Sequence, residues 1–205
     1  RTVSWLLTAG LAVGVLAQAS DAVRVFRRTS TPPNASTYRD GEGIARVARE
    51  QFAELATRLA DTVSFDMTLE EAVPHIIHAM LEAKILEEGP ETVLAFIQEP
   101  VGGASTGALV PPAGYMEAVR EICTRHGVLL IHDEVMSGGG RTGKFWGGDN
   151  WNAAPDLIAV SKGYGAGYAP LGAVTAHDRI VQPVLATGGF PHGHTYAGNP
   201  LACAA

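Results

Sequence analysis

Residues 127–162 read GVLLIHDEVMSGGGRTGKFWGGDNWNAAPDLIAVSK. The apolar run Val128-Leu129-Leu130-Ile131 is short, rich in branched residues and followed at once by His132, Asp133 and Glu134. That is the pattern of a buried strand ending in acid. A second run, Leu157-Ile158-Ala159-Val160, follows a Pro-Asp pair and leads into Ser161, Lys162 and Gly163. It predicts a strand ending in a lysine. Open α/β sheets bind ligands beyond the carboxyl ends of their strands, so Asp133 and Lys162 are expected on one rim of the sheet. The spacing between them leaves room for a loop and the next strand.

The residues before this stretch extend the same pattern. Gly89-Pro90 closes a helix, and Val93 to Ile97 predicts a strand that presents Gln98-Glu99-Pro100 at its end. Met116, Val119, Ile122 and Cys123 fall on one side of a helix expected over 114–126, with Gly127 at its C-cap. Strand, helix and strand from Val93 to Ile131 make one βαβ unit, whose right-handed crossover requires parallel strands. The fold class is therefore α/β, a mainly parallel sheet flanked by helices.

The ordered set of motifs resembles one family. His132-Asp133-Glu134-Val135-Met136-Ser137-Gly138, then Gly140-Arg141-Thr142-Gly143, then Ser161-Lys162-Gly163 look like the signature of the class-III aminotransferases, which use pyridoxal 5'-phosphate (PLP). Glu99-Pro100-Val101 precedes the set, and His194-Thr195-Tyr196-Ala197-Gly198-Asn199-Pro200 follows it. The resemblance covers residues 89–205 clearly and implies the large domain of a fold-type-I PLP enzyme.

By that resemblance Lys162 is the catalytic lysine, whose amine forms a Schiff base with PLP and later moves protons. A lone lysine is more often a solvated surface residue. Its position between Ser161 and Gly163, directly after an apolar strand, favours the functional role. Asp133 is implied to pair with the protonated pyridine nitrogen, keeping the ring an electron sink. Taken singly it could equally be a cap or loop carboxylate. Val135 is similar to the branched residue packed on the ring face, and Glu99 is expected to line the site. Met136 stands where parts of the family carry glutamine, so no hydrogen bond to the ring hydroxyl is expected from it. Thr195 is implied to reach the phosphate of the neighbouring subunit's cofactor, which requires a homodimer.

Composition bounds the remaining classes. The chain has 205 residues, is 46% hydrophobic and carries a formal net charge of -6. It can bury a sizeable core, and it lacks the clustered Lys and Arg that nucleic-acid binding needs. Two cysteines, Cys123 and Cys203, make no disulfide framework and suit a reducing, cytoplasmic setting. Of 24 glycines, five precede residue 101 and 19 follow it, which suits tight loops around a ligand. No metal site is expected. His75 and His78 are read as helix-surface residues and His192 and His194 as polar loop residues. In Gly163-Tyr164-Gly165-Ala166-Gly167 the lysine precedes the glycines, the reverse of a P-loop, and Gly138-Gly139-Gly140-Arg141-Thr142-Gly143 lacks phosphate-binding spacing. Arg141 is expected to be structural or near the site entrance.

The N-terminal region divides two ways. Arg1, the apolar run Val3 to Leu16, and Ala17-Gln18-Ala19 look like a secretory signal; as part of the resembled enzyme the same residues would be internal structure. The run is short and glycine-interrupted for a membrane span, and no membrane partner is expected. Trp5 lies where the family places an aromatic on the PLP ring, but Leu6-Leu7 replaces the usual His-Gly, so no role is carried over. Residues 27–43 read as a surface loop, 43–59 as an amphipathic helix, and 69–88 as a second helix capped by Thr68, with Glu70 and Glu71 in its first turn.

The domain expectation is an N-terminal segment and loop over 1–42 and part of the PLP-binding large domain over 43–205. The chain begins at Arg1 and stops at Leu201-Ala202-Cys203-Ala204-Ala205, in the first turn of a helix opened by Pro200. It therefore reads as a fragment without the family's N-terminal segment and C-terminal small domain. The implied reaction is ping-pong transfer of an amino group from an amine or ω-amino acid to a 2-oxo acid such as pyruvate. Gly102-Gly103-Ala104-Ser105 offers no acidic residue after Glu99-Pro100, which tilts the expectation towards amines and short ω-amino acids. An aminomutase or racemase on the same scaffold, or a non-catalytic PLP-binding or dimerising remnant, remains the alternative.

Overall fold

A computed structural model of the chain describes residues 67–103, 107–191 and 193–204. The expectations for 1–19, Trp5, 27–43, 43–59 and His192 lie outside the described residues. The chain divides into two compact units, one containing residues up to Phe96 and Pro111–Val128, the other Ile97–Val110 and Leu129–Ala205.

The described residues of the first unit are mainly helical. Helix α1 (Leu69–Ile77) passes through a π-helical turn, His78–Glu82, into α2 (Ala83–Glu88). Thr68 and Glu71 close its N-terminus reciprocally. The Glu71 N–H donates to the Thr68 hydroxyl at 3.3 Å, and the Thr68 N–H donates to the Glu71 carboxylate at 2.8 Å. This realises the expected cap, and the Thr68 hydrogen bonds hold the Glu71 carboxyl below its usual range. Gly89, with φ of +82°, and a 3-10 turn over Pro90–Thr92 end the segment. Helix α3 (Tyr115–Arg125) packs on α1, with Met116, Val119, Ile122 and Cys123 fully buried as their spacing predicted. Its C-cap is His126, and Gly127 follows in the left-handed conformation at φ +66°.

Glu82 joins these helices. It lies in the π-helical turn and accepts from Arg125 Nη1 at 2.7 Å; His126 Nε2 and His78 Nδ1 approach it at 2.7 and 2.8 Å. Although burial opposes the charge, hydrogen bonds from His126, His78 and Arg125 lower its carboxyl to about 2. His78 is thus a hydrogen-bond partner of Glu82, four residues away in the same turn. Burial pushes the Tyr115 phenol up to about 12, with Cys123 adding to the effect.

The second unit holds the sheet. Strands β1 (Ala95–Gln98), β2 (Leu129–Asp133), β3 (Leu157–Val160) and β4 (Ala173–Ala176) run in the order β1-β2-β3-β4, and β1 contributes its last two residues to this unit. The first strand begins two residues later than Val93, and β2 extends through Asp133 instead of ending at Ile131. β2 and β3 pair in parallel, with Asp133 in register with Ala159, while β4 joins β3 antiparallel. That antiparallel edge was not anticipated, because four small or β-branched residues carry little periodic signal. Leu130, His132, Glu134, Ala153 and Val160 are buried.

Asp156 ties the start of β3 to its surroundings. Its carboxylate accepts the Leu130 N–H at 2.7 Å and pairs with Arg179 of helix α4 (Asp178–Ala186). Helix α5 (Pro200–Ala204) opens at Pro200 as expected, and the Asn199 side chain accepts the Ala202 N–H at 3.1 Å. Cys123 is buried and Cys203 exposed, and neither forms a disulfide. Among the described residues no helix is long and apolar enough to cross a membrane.

Candidate functional site

The residues singled out at the strand ends lie in the second unit. Asp133 is the last residue of β2, and Lys162 follows β3 by two positions, so both leave the sheet at its carboxyl rim. Asp133 is half-buried and its Oδ1 accepts the Val135 N–H at 3.1 Å. That bond turns the chain immediately after the strand and fixes Val135 next to it. The Glu134 N–H continues the ladder to the Ala159 carbonyl at 2.8 Å, and the Gly138 N–H then closes a turn onto the Glu134 carbonyl at 2.8 Å. Met136 sits in the middle of this turn.

Lys162 opens a 3-10 turn, Lys162–Gly165, with φ of +48°. A lysine in the left-handed region is uncommon and needs support from its surroundings. Ser161 supplies part of it by donating its hydroxyl to the Leu171 carbonyl at 3.0 Å. Gly139 supplies more. At φ +71° it brings its Cα so close to the lysine turn that a Cβ would lie 3.1 Å from Gly163 C and Tyr164 N. The glycine-rich loop is therefore a close-packing device, consistent with its lack of nucleotide spacing. Beside it lies an open cleft of about 660 Å³ lined by Gly138, Gly139, Gly140, Arg141, Lys162 and Gly163 among others.

The lysine amine points across this region to Met136, with Nζ 2.9 Å from Sδ. Glu99 is exposed at the end of β1 and reaches the same neighbourhood through Gly103. A Cβ on Gly103 would lie 2.8 Å from Glu99 Oε2 and 2.9 Å from Met136 Cγ. Lys162, Met136, Gly103 and Glu99 thus form one continuous line of contacts. Arg141 is exposed on the cleft wall. Thr195 is exposed in a turn that the Ala197 N–H closes onto the His194 carbonyl at 2.9 Å.

Glu134 was not singled out by the sequence reading. It is fully buried and accepts from Ser137 Oγ at 2.6 Å, Gly147 N at 2.9 Å and Gly148 N at 2.7 Å. The carboxylate therefore holds the start of the 3-10 turn Gly147–Asn150 through two backbone donors. Both donors belong to glycines for steric reasons. A Cβ at Gly148 would approach His132 Nδ1 to 2.5 Å, and one at Gly147 would approach Ser137 Cβ to 2.7 Å. The signal was available in the alternation of β2, which turns Leu130, His132 and Glu134 to the buried side and Asp133 away from it. The aromatic contacts were also missed. Trp146 stacks on Tyr164 with centroids 6.3 Å apart, and Phe145 meets Trp146 edge-on at 4.6 Å. They join the loop that Glu134 holds to the turn that carries Lys162.

The residues present fit PLP in their chemistry. A lysine amine in an open cleft, an aspartate on the same rim and a glycine-bounded space beside them are groups able to hold an aldehyde and a pyridinium. Comparison with known proteins points the same way. The family model described as aminotransferase class-III matches residues 34–205. Vanillin aminotransferase from Capsicum chinense is 48% identical over 128 residues, covering 60% of this chain and 28% of that protein. Putrescine–pyruvate aminotransferase from Pseudomonas aeruginosa is 48% identical over 124 residues, covering 60% and 27%. A crystal structure of a PLP-bound amine transaminase from an uncultivated Pseudomonas species superimposes with a TM-score of 0.63 at 41% identity, covering 69% of this chain and 33% of that one. The chain thus spans under a third of the length of these curated relatives.

Proposed function

The chain belongs to the class-III aminotransferase family, and we propose that it is part of the PLP-binding large domain of an enzyme moving an amino group from an amine or ω-amino acid to a 2-oxo acid such as pyruvate. The observation that carries this reading is the placement of Asp133 at the carboxyl end of β2 and of Lys162 just beyond that of the adjacent parallel strand β3, with Lys162 on an open cleft. The relatives support the substrate class, since those named above act on amine or aldehyde partners by their names.

PLP, when bound, supplies an aldehyde that condenses with amines and a ring that withdraws electrons from the substrate carbon. The chain's own residues do the rest. Lys162 holds the cofactor through Nζ and, once a substrate amine has taken its place, carries a proton to and from the reacting carbon. Asp133 keeps a proton on the ring nitrogen, because a carboxylate beside a pyridinium favours the charged form. Val135, fixed by its N–H bond to Asp133, covers a ring face, and Glu99 lines the substrate side. Two half-reactions share this one site, which is the basis of the ping-pong order.

Thr195 supports a homodimer. Its hydroxyl is exposed and can donate to a phosphate on a neighbouring subunit. The same part of the chain exposes Tyr168, Phe190, Tyr196 and Leu201, each at least three-quarters accessible. Such an apolar surface suits a second copy of the chain. The cytoplasm is the proposed location, since PLP enzymes of this type work on soluble metabolites and Cys203 stands as a free exposed thiol.

The test uses the small number of lysines. The chain has three, Lys84, Lys144 and Lys162, so protein incubated with PLP and then borohydride can be mapped by peptide mass spectrometry. Label confined to Lys162 and absent from Lys162→Ala supports the reading, and amine–pyruvate assays then identify the donor. Label on Lys84 or Lys144 alone would overturn it. Product analysis separates transfer from isomerisation: a mutase or racemase would consume no 2-oxo acid.

A further inference from the structure

We infer that Met136 is a positioning residue for the Lys162 amine and that the missing side chain at Gly103 is what allows Met136 to stand there. Nζ of Lys162 lies 2.9 Å from Sδ of Met136. A thioether is a weak, uncharged acceptor on a flexible, unbranched stem. It can orient an amine without the strong hold of a carboxylate partner, which would compete with the amine's bonding to a carbonyl carbon. The two other lysines differ in this respect. Lys84 is paired with Glu87 at 3.2 Å and Glu88 at 2.9 Å, and Lys144 is exposed in the loop before Phe145.

Gly103 completes the device from behind. It is buried, and its backbone lies outside the positive-φ region where the neighbouring Gly107 sits. The backbone therefore does not demand glycine; the space does. A Cβ would come to 2.9 Å from Met136 Cγ and 2.8 Å from Glu99 Oε2. Both are parts of flexible side chains, so Gly103→Ala is accommodated by their displacement and not by the fold. Met136 is then pushed from its place and Lys162 loses its contact. The inference takes Lys162 as the reactive amine from the proposed function, but it concerns a contact that exists without PLP.

The experiment compares lysine reactivity in the whole, cofactor-free chain. Acetic anhydride labelling is quantified by mass spectrometry, with Lys84 and Lys144 as internal references. Met136→Leu keeps bulk but removes the sulfur, and it should raise Lys162 labelling relative to the references by roughly threefold, the scale of losing a weak hydrogen bond. Gly103→Ala should do the same. Adding Gly103→Ala to Met136→Ala should change Lys162 no further, because the displaced side chain is already gone. In both single variants, fixation of PLP at Lys162 by borohydride should slow, the opposite direction from labelling.

Unfolding would raise labelling at all three lysines together, which is a different pattern; Met136→Leu, the least disruptive change, then decides alone. Lys162 labelling in Met136→Leu equal to the unaltered chain would overturn the inference. So would a Gly103→Ala effect of the same size with and without Met136. Failure to take up PLP would count against the proposed function and leave the labelling result standing.

Discussion

Oε1 of Glu134 accepts the Gly148 N–H at 2.7 Å, and Oε2 of the same carboxylate accepts Gly147 N and Ser137 Oγ. One buried acid thereby fastens the loop after Trp146 to the strand that presents Asp133. Replacing it by glutamine turns one acceptor oxygen into a donor that faces a backbone donor. Leaving a buried donor unmatched costs about 1–3 kcal/mol. Glu134→Gln is therefore expected to lower the urea midpoint by that equivalent, and an unchanged midpoint would contradict the role assigned to Glu134.

Gly148 gives a steric test of the same junction. A Cβ there would stand 2.5 Å from the Nδ1 of a His132 ring that is fully buried. Rings in such positions cannot swing away as a long side chain can, and overpacking costs typically about 1–3 kcal/mol. Gly148→Ala should destabilise by that amount in thermal unfolding, whereas Gly163→Ala, with only the Gly138 carbonyl oxygen at 3.7 Å from the new Cβ, should be far milder.

Lys162 itself carries backbone strain. At φ +48° it shares the left-handed region with Ala108 and Ala166 among the described non-glycine residues. An L-residue there costs roughly 1–2 kcal/mol that glycine does not. Lys162→Gly should therefore melt above Lys162→Ala by about 1 kcal/mol, while both lose the borohydride-fixed PLP. Equal melting of the two variants would show that the turn is not strained.

The strand ends that carry Asp133 and Lys162 were legible in the sequence because a short apolar run precedes each. β3 matches its expected bounds, and the apolar face of α3 is the one its 3.6-residue spacing marked. Where the outcome depended on contacts between distant residues, the sequence was silent. Nothing in Ala173–Ala176 marks an antiparallel partner for β3, and nothing in Gly147-Gly148 says that Glu134 receives their N–H groups. Met136 shows both sides. Its departure from glutamine was visible, but its contact with Lys162 depends on a turn closed by Gly138 and on the room left by Gly103.

The first unit provides a pH test. Glu82 is lowered in the folded chain to about 2, by the hydrogen bonds of His126, His78 and Arg125 acting against burial, while a glutamate in an unfolded chain titrates near about 4.3. A depressed carboxyl contributes stability above the unfolded value, and that contribution is lost as pH falls through the folded value. The stability difference between the unaltered chain and Glu82→Gln should be full at pH 6 and shrink between about pH 4.3 and about pH 2. Urea titrations across that range measure it, and a difference that stays constant would refute the assignment.

Asp133→Asn separates charge from architecture at the site. The amide oxygen can still accept the Val135 N–H that Oδ1 accepts at 3.1 Å, so the turn after β2 should persist and thermal unfolding should change little. What is lost is the negative charge at the end of β2, where Asp133 is in register with Ala159, the residue three positions before Lys162. A hydrogen bond to a charged group contributes about 1.5–3 kcal/mol, equivalent to roughly 10- to 150-fold in affinity. PLP retention on dialysis should weaken by that factor, with Lys162 still the residue fixed by borohydride. Unchanged retention and turnover in Asp133→Asn would remove Asp133 from the cofactor site and leave it as the cap of the turn alone.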